Sequence, residues 1–156
     1  MGLIKGDRVA VLTSGGDAPG MNAAIRAAAR VGAELGLDML GVEDGYAGLI
    51  EDRVAPLDIR VLDEAARRGG TALGTARSKA FATPEGQKRA RETIAKNELR
   101  GVLVIGGNGS LTGARTTSRA GASACSQKSK TSSSADHCRL TAAAAPATRG
   151  TSRART

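Results

Sequence analysis

The sequence predicts an α/β protein: an open, mostly parallel β-sheet with flanking helices over residues 1–114, followed by a disordered tail. Three observations support this prediction. Short apolar runs that end in glycine are typical of buried parallel strands. Segments with helical spacing of apolar residues lie between these runs, as strand–helix–strand connections require. The composition then changes abruptly at residue 115, where a low-complexity segment (residues 115–156) begins.

Three strands are predicted from the apolar runs. The first covers residues 8–13 and ends in Ser-Gly-Gly, and the second covers residues 39–42. The third covers residues 101–105 and is followed directly by Gly-Gly-Asn-Gly-Ser. Each run is short and continuously apolar, which indicates a strand that is buried on both faces of a sheet.

Three helices are predicted between the strands. Residues 22–35 are rich in alanine with apolar residues at helical spacing, and Gly36 occupies the position of a C-terminal glycine cap. A short helix is expected over residues 62–68. Thr83 as N-cap and Pro84 at the first helical position begin the third helix.

The net charge of +8 for the whole chain lies almost entirely in the tail. Residues 115–156 contain eight Lys or Arg and one Asp, whereas residues 1–114 contain 15 basic and 14 acidic side chains, a net charge of +1. Leu140 is the one large aliphatic residue of the tail, and 25 of its 42 residues are Ala, Ser or Thr. Such a segment buries too little apolar area to offset an ordering cost of roughly 1–2 kcal/mol per residue, so disorder is predicted.

Three explanations for the tail stay open. It is a natural basic arm that contacts nucleic acid or acidic partners, a flexible extension without its own function, or the product of a shifted reading frame. Out-of-frame GC-rich DNA yields mainly Ala, Arg, Ser, Thr, Gly and Pro, and the abrupt change favours this third explanation. Cys125, His137 and Cys138 match no standard zinc spacing, so no metal site is predicted there.

Membrane insertion and secretion are not expected. No apolar stretch approaches the roughly 20 residues of a transmembrane helix. The first eight residues carry neither the apolar region nor the small-residue cleavage site of a secretory signal. A cytoplasmic location is therefore predicted.

Two glycine-rich loops, residues 14–20 and 106–110, follow predicted strands at the carboxyl end of the sheet, where open parallel sheets bind ligands. Glycine lets a phosphate approach backbone N–H groups, and the next helix points its positive end at the same place. Neither loop is a Walker A or a Gly-x-Gly-x-x-Gly dinucleotide motif. Two such loops after separate strands nevertheless predict a phosphate site.

Three arginines are candidates for anion binding. Arg77 lies close to glycines and is either a bidentate phosphate ligand or a solvated loop residue. Arg26 and Arg30 lie one turn apart on the first predicted helix, where they form either a basic patch or an ordinary solvated face.

Residues 12–26 form a 15-residue motif, Leu-Thr-Ser-Gly-Gly-Asp-Ala-Pro-Gly-Met-Asn-Ala-Ala-Ile-Arg. Further motifs follow in order: Gly-Tyr-Ala-Gly-Leu (45–49), Arg-Gly-Gly-Thr (68–71), Thr-Ala-Arg (75–77), Glu-Gly-Gln-Lys (85–88) and Val-Ile-Gly-Gly-Asn-Gly-Ser (104–110). Over about residues 7–114, their order and spacing resemble the N-terminal, ATP-binding part of the ATP-dependent 6-phosphofructokinases. Lipid and NAD kinases share a Gly-Gly-Asp-Gly loop but lack the 15-residue motif.

The resemblance implies a reaction and a set of site residues. Family members are homotetramers that transfer the γ-phosphoryl group of ATP to the 1-hydroxyl of fructose 6-phosphate in glycolysis, with Mg²⁺. By this resemblance Arg26 and Arg30 belong to an allosteric effector site that senses ADP and phosphoenolpyruvate across a subunit interface. The residues implied to bind ATP are Gly16, Tyr46, Arg77, Ser78, Phe81, Gly107, Asn108, Gly109 and Ser110.

The sequence departs from the family pattern in two respects. Asn108 stands where the pattern has an aspartate that helps hold Mg²⁺, so a metal role carries over to it only weakly, although Gly109 still favours the ATP-using branch. The Thr-Ile-Asp-Asn-Asp motif with the catalytic base and the Met-Gly-Arg motif for the sugar phosphate are absent from the chain. No catalytic residue is assigned, and an inactive fragment is predicted. The alternative is a non-catalytic nucleotide-binding module whose basic tail contacts nucleic acid.

Overall fold

The computed structural model describes residues 2–117 and the backbone of residues 118 and 123–127. These residues form five strands, five α-helices and one 3₁₀ turn. In chain order the elements are β1 (Arg8–Ser14), α1 (Met21–Glu34), β2 (Asp38–Val42), α2 (Tyr46–Ile50), β3 (Val54–Pro56), α3 (Ile59–Ala65), the 3₁₀ turn (Ala80–Ala82), α4 (Pro84–Lys96), β4 (Leu99–Gly106), α5 (Asn108–Ser118) and β5 (Ser123–Gln127).

The strands form one sheet in the order β3-β2-β1-β4-β5. β1 is the central strand and pairs in parallel with β2 and with β4, and β5 pairs in parallel with β4. Only the short β3 runs antiparallel to its neighbour β2 among the described strands. The predicted α/β class and the mostly parallel sheet are therefore confirmed.

The helix boundaries follow local signals in the sequence. The Thr83 hydroxyl accepts a hydrogen bond from the Gly86 N–H at 3.1 Å, with Pro84 as the first residue of α4. Gly36 adopts a φ of +71° just after α1, as the predicted glycine cap requires. The helix predicted over residues 62–68 begins earlier, at Ile59, because the Asp58 side chain caps it by accepting from the Arg60 N–H at 2.8 Å.

Alternate side chains of β1 pack on opposite sides of the sheet, as the period of two in a strand requires. On one side Ala10 and Leu12 contact residues of α2, α4 and α5; we call this the α4 side. On the other side Val11 contacts residues of α1 and α3; we call this the α1 side. Ala10, Val11 and Leu12 are completely buried, so both sides of the central strand are covered by the helices.

Two described elements extend past residue 114, the predicted end of the ordered part. α5 continues to Ser118, with Thr117 only 2 % exposed, and Ser123–Gln127 adds to the sheet beside β4. Strand addition uses backbone hydrogen bonds, which do not require the apolar side chains that the composition argument counted. Residues 115–118 and 123–127 are the parts of the predicted tail that the structure describes, and the rest of the predicted tail lies outside the described residues.

Among the residues that the structure describes, no helix is long and apolar enough to cross a membrane.

Candidate functional site

A cleft of about 540 Å³ opens at the carboxyl ends of β1 and β4. The two strands are direct neighbours, and Ser14 is in register with Gly106, so the two glycine loops that follow them lie side by side. Of the nine residues that the resemblance implies to bind ATP, eight line this cleft, and the ninth, Asn108, does not. The lining residues are Ser14, Gly15, Gly16, Tyr46, Arg77, Ser78, Phe81, Ala82, Gln87, Gly107, Gly109, Ser110, Thr112, Gly113 and Thr116.

Close backbone contacts join the two glycine loops. The Ser110 hydroxyl donates a hydrogen bond to the Ser14 carbonyl at 3.0 Å, in a buried position. A Cβ at Gly106 would collide with the Ser14 carbonyl oxygen and would lie 2.6 Å from the Ser110 Oγ. Glycine is therefore required at residue 106 for the loops to meet. At Gly107, by contrast, a Cβ would meet no atom within 4 Å, so that face stays open to the cleft.

The two aromatic residues of the chain form one wall of the cleft. The rings of Tyr46 and Phe81 stack with their centroids 4.0 Å apart, and the Tyr46 hydroxyl donates to the Ser110 carbonyl at 2.7 Å. Gly113 makes room for this wall, because a Cβ there would lie 2.8 Å from Tyr46 Cζ. Burial raises the pKa of the Tyr46 hydroxyl, so it remains a neutral donor over the physiological range.

Arg77 is the one charged residue among those lining the cleft in the described part of the chain. It is exposed, and the segment that carries it is fixed from β1 and α1. The Thr13 hydroxyl donates to the Gly74 carbonyl at 2.7 Å, and the Asn22 side-chain oxygen accepts from the Ala72 N–H at 2.6 Å. These contacts hold the segment beside the cleft, within reach of an anion bound to the glycine loops.

The arginines predicted for an effector site lie outside the cleft. Arg26 and Arg30 project from α1 towards α3, where both form ion pairs with Asp63. The Arg30 Nη2 to Asp63 Oδ2 distance is 2.7 Å. Hydrogen bonds from Arg26 and then Arg30 lower the pKa of the Asp63 carboxyl below its ordinary 3.8. Both arginines are thus partly exposed and paired with one carboxylate on the outer surface of α1 and α3.

The described residues do not fit a protein-held Mg²⁺ in this cleft. Mg²⁺ prefers carboxylate oxygens together with phosphates and waters, and no Asp or Glu is among the lining residues. Asp17 follows Gly16 directly but does not line the cleft. Its carboxylate lies near Gly70 instead, with Oδ2 3.5 Å from the position that a Cβ would take at Gly70. Asn108 is exposed and is not part of the lining. In the described part of the chain, no group of three or more His, Cys, Asp or Glu is arranged to hold a metal ion.

Sequence reasoning missed two kinds of site residue. Five lining residues belong neither to the residues implied to bind ATP nor to the two predicted glycine loops: Ala82, Gln87, Thr112, Gly113 and Thr116. Thr112, Gly113 and Thr116 follow the lining residue Gly109 at helical spacing (i+3, i+4 and i+7), which predicts a shared face once this segment is known to be helical. Thr13 and Asn22, which position the Arg77 segment, belong to the 15-residue motif but act through contacts far away in sequence.

The phosphofructokinase family model matches residues 8–148, most of the chain and beyond the change in composition at residue 115. The ATP-dependent 6-phosphofructokinase of Actinobacillus pleuropneumoniae serotype 5b is 53 % identical over 108 residues, which are 69 % of this chain and 33 % of the relative. The enzyme of the same name from Clostridium tetani is 48 % identical over 114 residues, which are 73 % of this chain and 36 % of the relative. The chain thus spans about a third of the length of these relatives.

Solved structures show the same fold. The T-state crystal structure of Pichia pastoris phosphofructokinase superposes with a TM-score of 0.70 and 34 % identity, over 77 % of this chain and 14 % of that one. A pyrophosphate-dependent phosphofructokinase from Marinobacter aquaeolei superposes with a TM-score of 0.63 at 15 % identity, over 77 % of this chain and 32 % of that one, a likeness of fold alone. The motifs, the sheet and the family match agree: this chain belongs to the phosphofructokinase family.

Proposed function

We propose that the cleft binds ATP and that this chain is the ATP-binding part of a 6-phosphofructokinase. The observation that carries the proposal is the convergence of both glycine loops, the aromatic pair and Arg77 on one cleft. The curated relatives named above are ATP-dependent 6-phosphofructokinases.

The parts of the cleft suit different parts of a nucleotide. Open glycines at residues 16 and 107 leave space for phosphate oxygens beside backbone N–H groups, and the guanidinium of Arg77 supplies a positive charge. Tyr46 and Phe81 are 5 % and 7 % exposed and already stack on each other, so a base cannot insert between them. A base or ribose would instead pack against the accessible edge of the pair.

For the complete enzyme, the proposed reaction is transfer of the γ-phosphoryl group of ATP to the 1-hydroxyl of fructose 6-phosphate. The 156-residue chain by itself binds nucleotide without turnover in this proposal, because the catalytic-base and sugar-phosphate motifs are absent from its sequence. Because the chain spans about a third of the length of these relatives, we also do not expect it to form by itself the homotetramer that the resemblance implies.

The binding test is isothermal titration calorimetry of the 156-residue chain with ATP, in excess Mg²⁺ and in excess EDTA. Arg77→Gln should weaken binding about tenfold, the size of a lost charge-assisted contact. Arg60→Gln is the matched control, since this α3 side chain is 95 % exposed and lies outside the cleft. Absence of ATP binding in both buffers would refute the proposal.

A coupled assay for fructose 1,6-bisphosphate tests the absence of turnover separately. We expect no ATP-dependent product from the purified chain. Product formation above that of a heat-treated sample would show that other residues replace the missing base, and this part of the proposal would fall while nucleotide binding stands.

A further inference from the structure

We infer that the cleft binds the free nucleotide anion and does not require Mg²⁺ for affinity. The inference rests on the proposed nucleotide site and specifies the form of the ligand. It starts from the composition of the cleft, in which the described lining holds one cation, Arg77, and no carboxylate.

A site for a magnesium–nucleotide complex gains affinity from carboxylates that ligate the metal directly or through its waters. In this cleft the remaining side-chain donors are neutral: the hydroxyls of Ser14, Ser78, Ser110, Thr112 and Thr116, the phenol of Tyr46 and the amide of Gln87. Several of these are already engaged. Ser110 donates to Ser14, and Thr112 and Thr116 donate to the carbonyls of Asn108 and Thr112.

Electrostatics favour the uncomplexed phosphates. Mg²⁺ cancels two negative charges of the triphosphate, and with them part of its attraction to the Arg77 guanidinium and to backbone N–H groups. Where a carboxylate contacts the metal, that loss is recovered. In a cleft without such a carboxylate, free ATP is bound at least as well as the Mg²⁺–ATP complex.

Asn108 is the residue through which this preference can be changed. It is the first residue of α5, it is exposed, and it lies between the lining residues Gly107 and Gly109. An aspartate there would add a negative charge between the two glycines that are proposed to face the phosphates, although the side chain itself lies outside the cleft lining. That charge would repel the free anion and attract the metal complex.

The experiment compares ATP affinity of the 156-residue chain in excess EDTA and in excess Mg²⁺ by titration calorimetry. We expect the Kd in EDTA to be equal to or lower than the Kd in Mg²⁺. A Kd in EDTA that is about threefold or more higher would overturn the inference and leave the proposed function standing. Loss of binding in both buffers would refute the proposed function, and the inference with it.

Two variants test whether the charge at residue 108 sets the preference between free and Mg²⁺-bound ATP. Asn108→Asp should weaken binding in EDTA by about tenfold and restore it with Mg²⁺. Lys5→Gln changes the net charge by the same amount before β1, at the opposite end of the sheet, and should leave both Kd values unchanged. If Asn108→Asp, confirmed as folded by its melting curve, shows no Mg²⁺ dependence, residue 108 does not control the preference and the inference fails.

Discussion

The two sides of the sheet use the same strands but are built differently. On the α4 side both aromatic residues of the chain, Tyr46 and Phe81, belong to the buried core and also line the cleft. On the α1 side the core contains no aromatic residue among the described ones, and its outer surface carries the Asp63 ion pairs and exposed Val61. On the α4 side, therefore, core residues also line the cleft, whereas no residue of the described α1-side core does; we expect the proposed ATP binding to depend on stability mainly on the α4 side.

The largest expected effect is on the α4 side. Leu49 is completely buried in α2, the helix that begins with Tyr46. Leu49→Ala should lower the free energy of unfolding by about 2–5 kcal/mol and weaken ATP binding as well, because it loosens the support of the aromatic wall. Urea unfolding and calorimetry measure the two effects.

The control for Leu49→Ala is Val61→Ala on the α1 side, where the side chain is 59 % exposed. It should change the free energy of unfolding by less than about 0.5 kcal/mol and leave ATP affinity intact. Equal losses of unfolding free energy and of ATP affinity for Leu49→Ala and Val61→Ala would contradict the expectation that the cleft depends on the core of the α4 side alone.

An intermediate effect is expected for Tyr46→Phe, which removes the hydrogen bond to the Ser110 carbonyl and should cost about 0.5–1.5 kcal/mol. Tyr46 is the single tyrosine, so tyrosinate absorbance reports on it alone. Because burial raises its pKa above the ordinary 10.0, its stabilising contribution is complete below pH 10.0 and is lost as the pH rises towards the raised value. Tyrosinate that forms near pH 10.0 in the still folded chain would contradict this.

The smallest effect is expected on the α1 side, at Asp63. Its pKa is lowered, so the ion pairs stabilise the fold above pH 3.8 and lose their contribution as the pH falls through the lowered value. Asp63→Asn should reduce stability at neutral pH only slightly, because all three side chains are partly exposed, and should not change ATP affinity. Thermal melts at neutral and acidic pH measure the difference in melting temperature between the original chain and Asp63→Asn, and this difference should become smaller at acidic pH. A change in the ATP affinity of Asp63→Asn would contradict this prediction and would show that the ion pairs on the α1 side influence the cleft.

The fold was predictable where local signals are strong. The runs that form β1, β2 and β4 are apolar and end in glycine or polar residues, and Thr83 and Pro84 predict the start of α4. β3 has three residues and α2 has five, too few for a periodic pattern to be visible. α5 carries Gly109, Gly113 and several Ser or Thr residues, which are weak helix formers, so its helical character depends on packing against the sheet.

The site was predictable to a similar degree. The glycine loops follow from the strand ends, whereas Tyr46 and Phe81 were identified through the resemblance and their stacking arises only in the folded chain. The roles of Thr13 and Asn22 depend on partners more than 45 residues away, at Gly74 and Ala72. No local pattern encodes such contacts.

The strand order also has a consequence for biosynthesis. β1 is made first but lies between β2 and β4, and Arg8 pairs with Leu99 at the start of β4. A growing chain can form the β1–β2 pair early, but one edge of β1 stays open until β4 emerges from the ribosome. The loop closure that completes the sheet is thus a late, non-local event, and the two glycine loops meet only at that moment. Pairing of β1 with β4 therefore completes the central strand's second edge and forms the cleft in the same step.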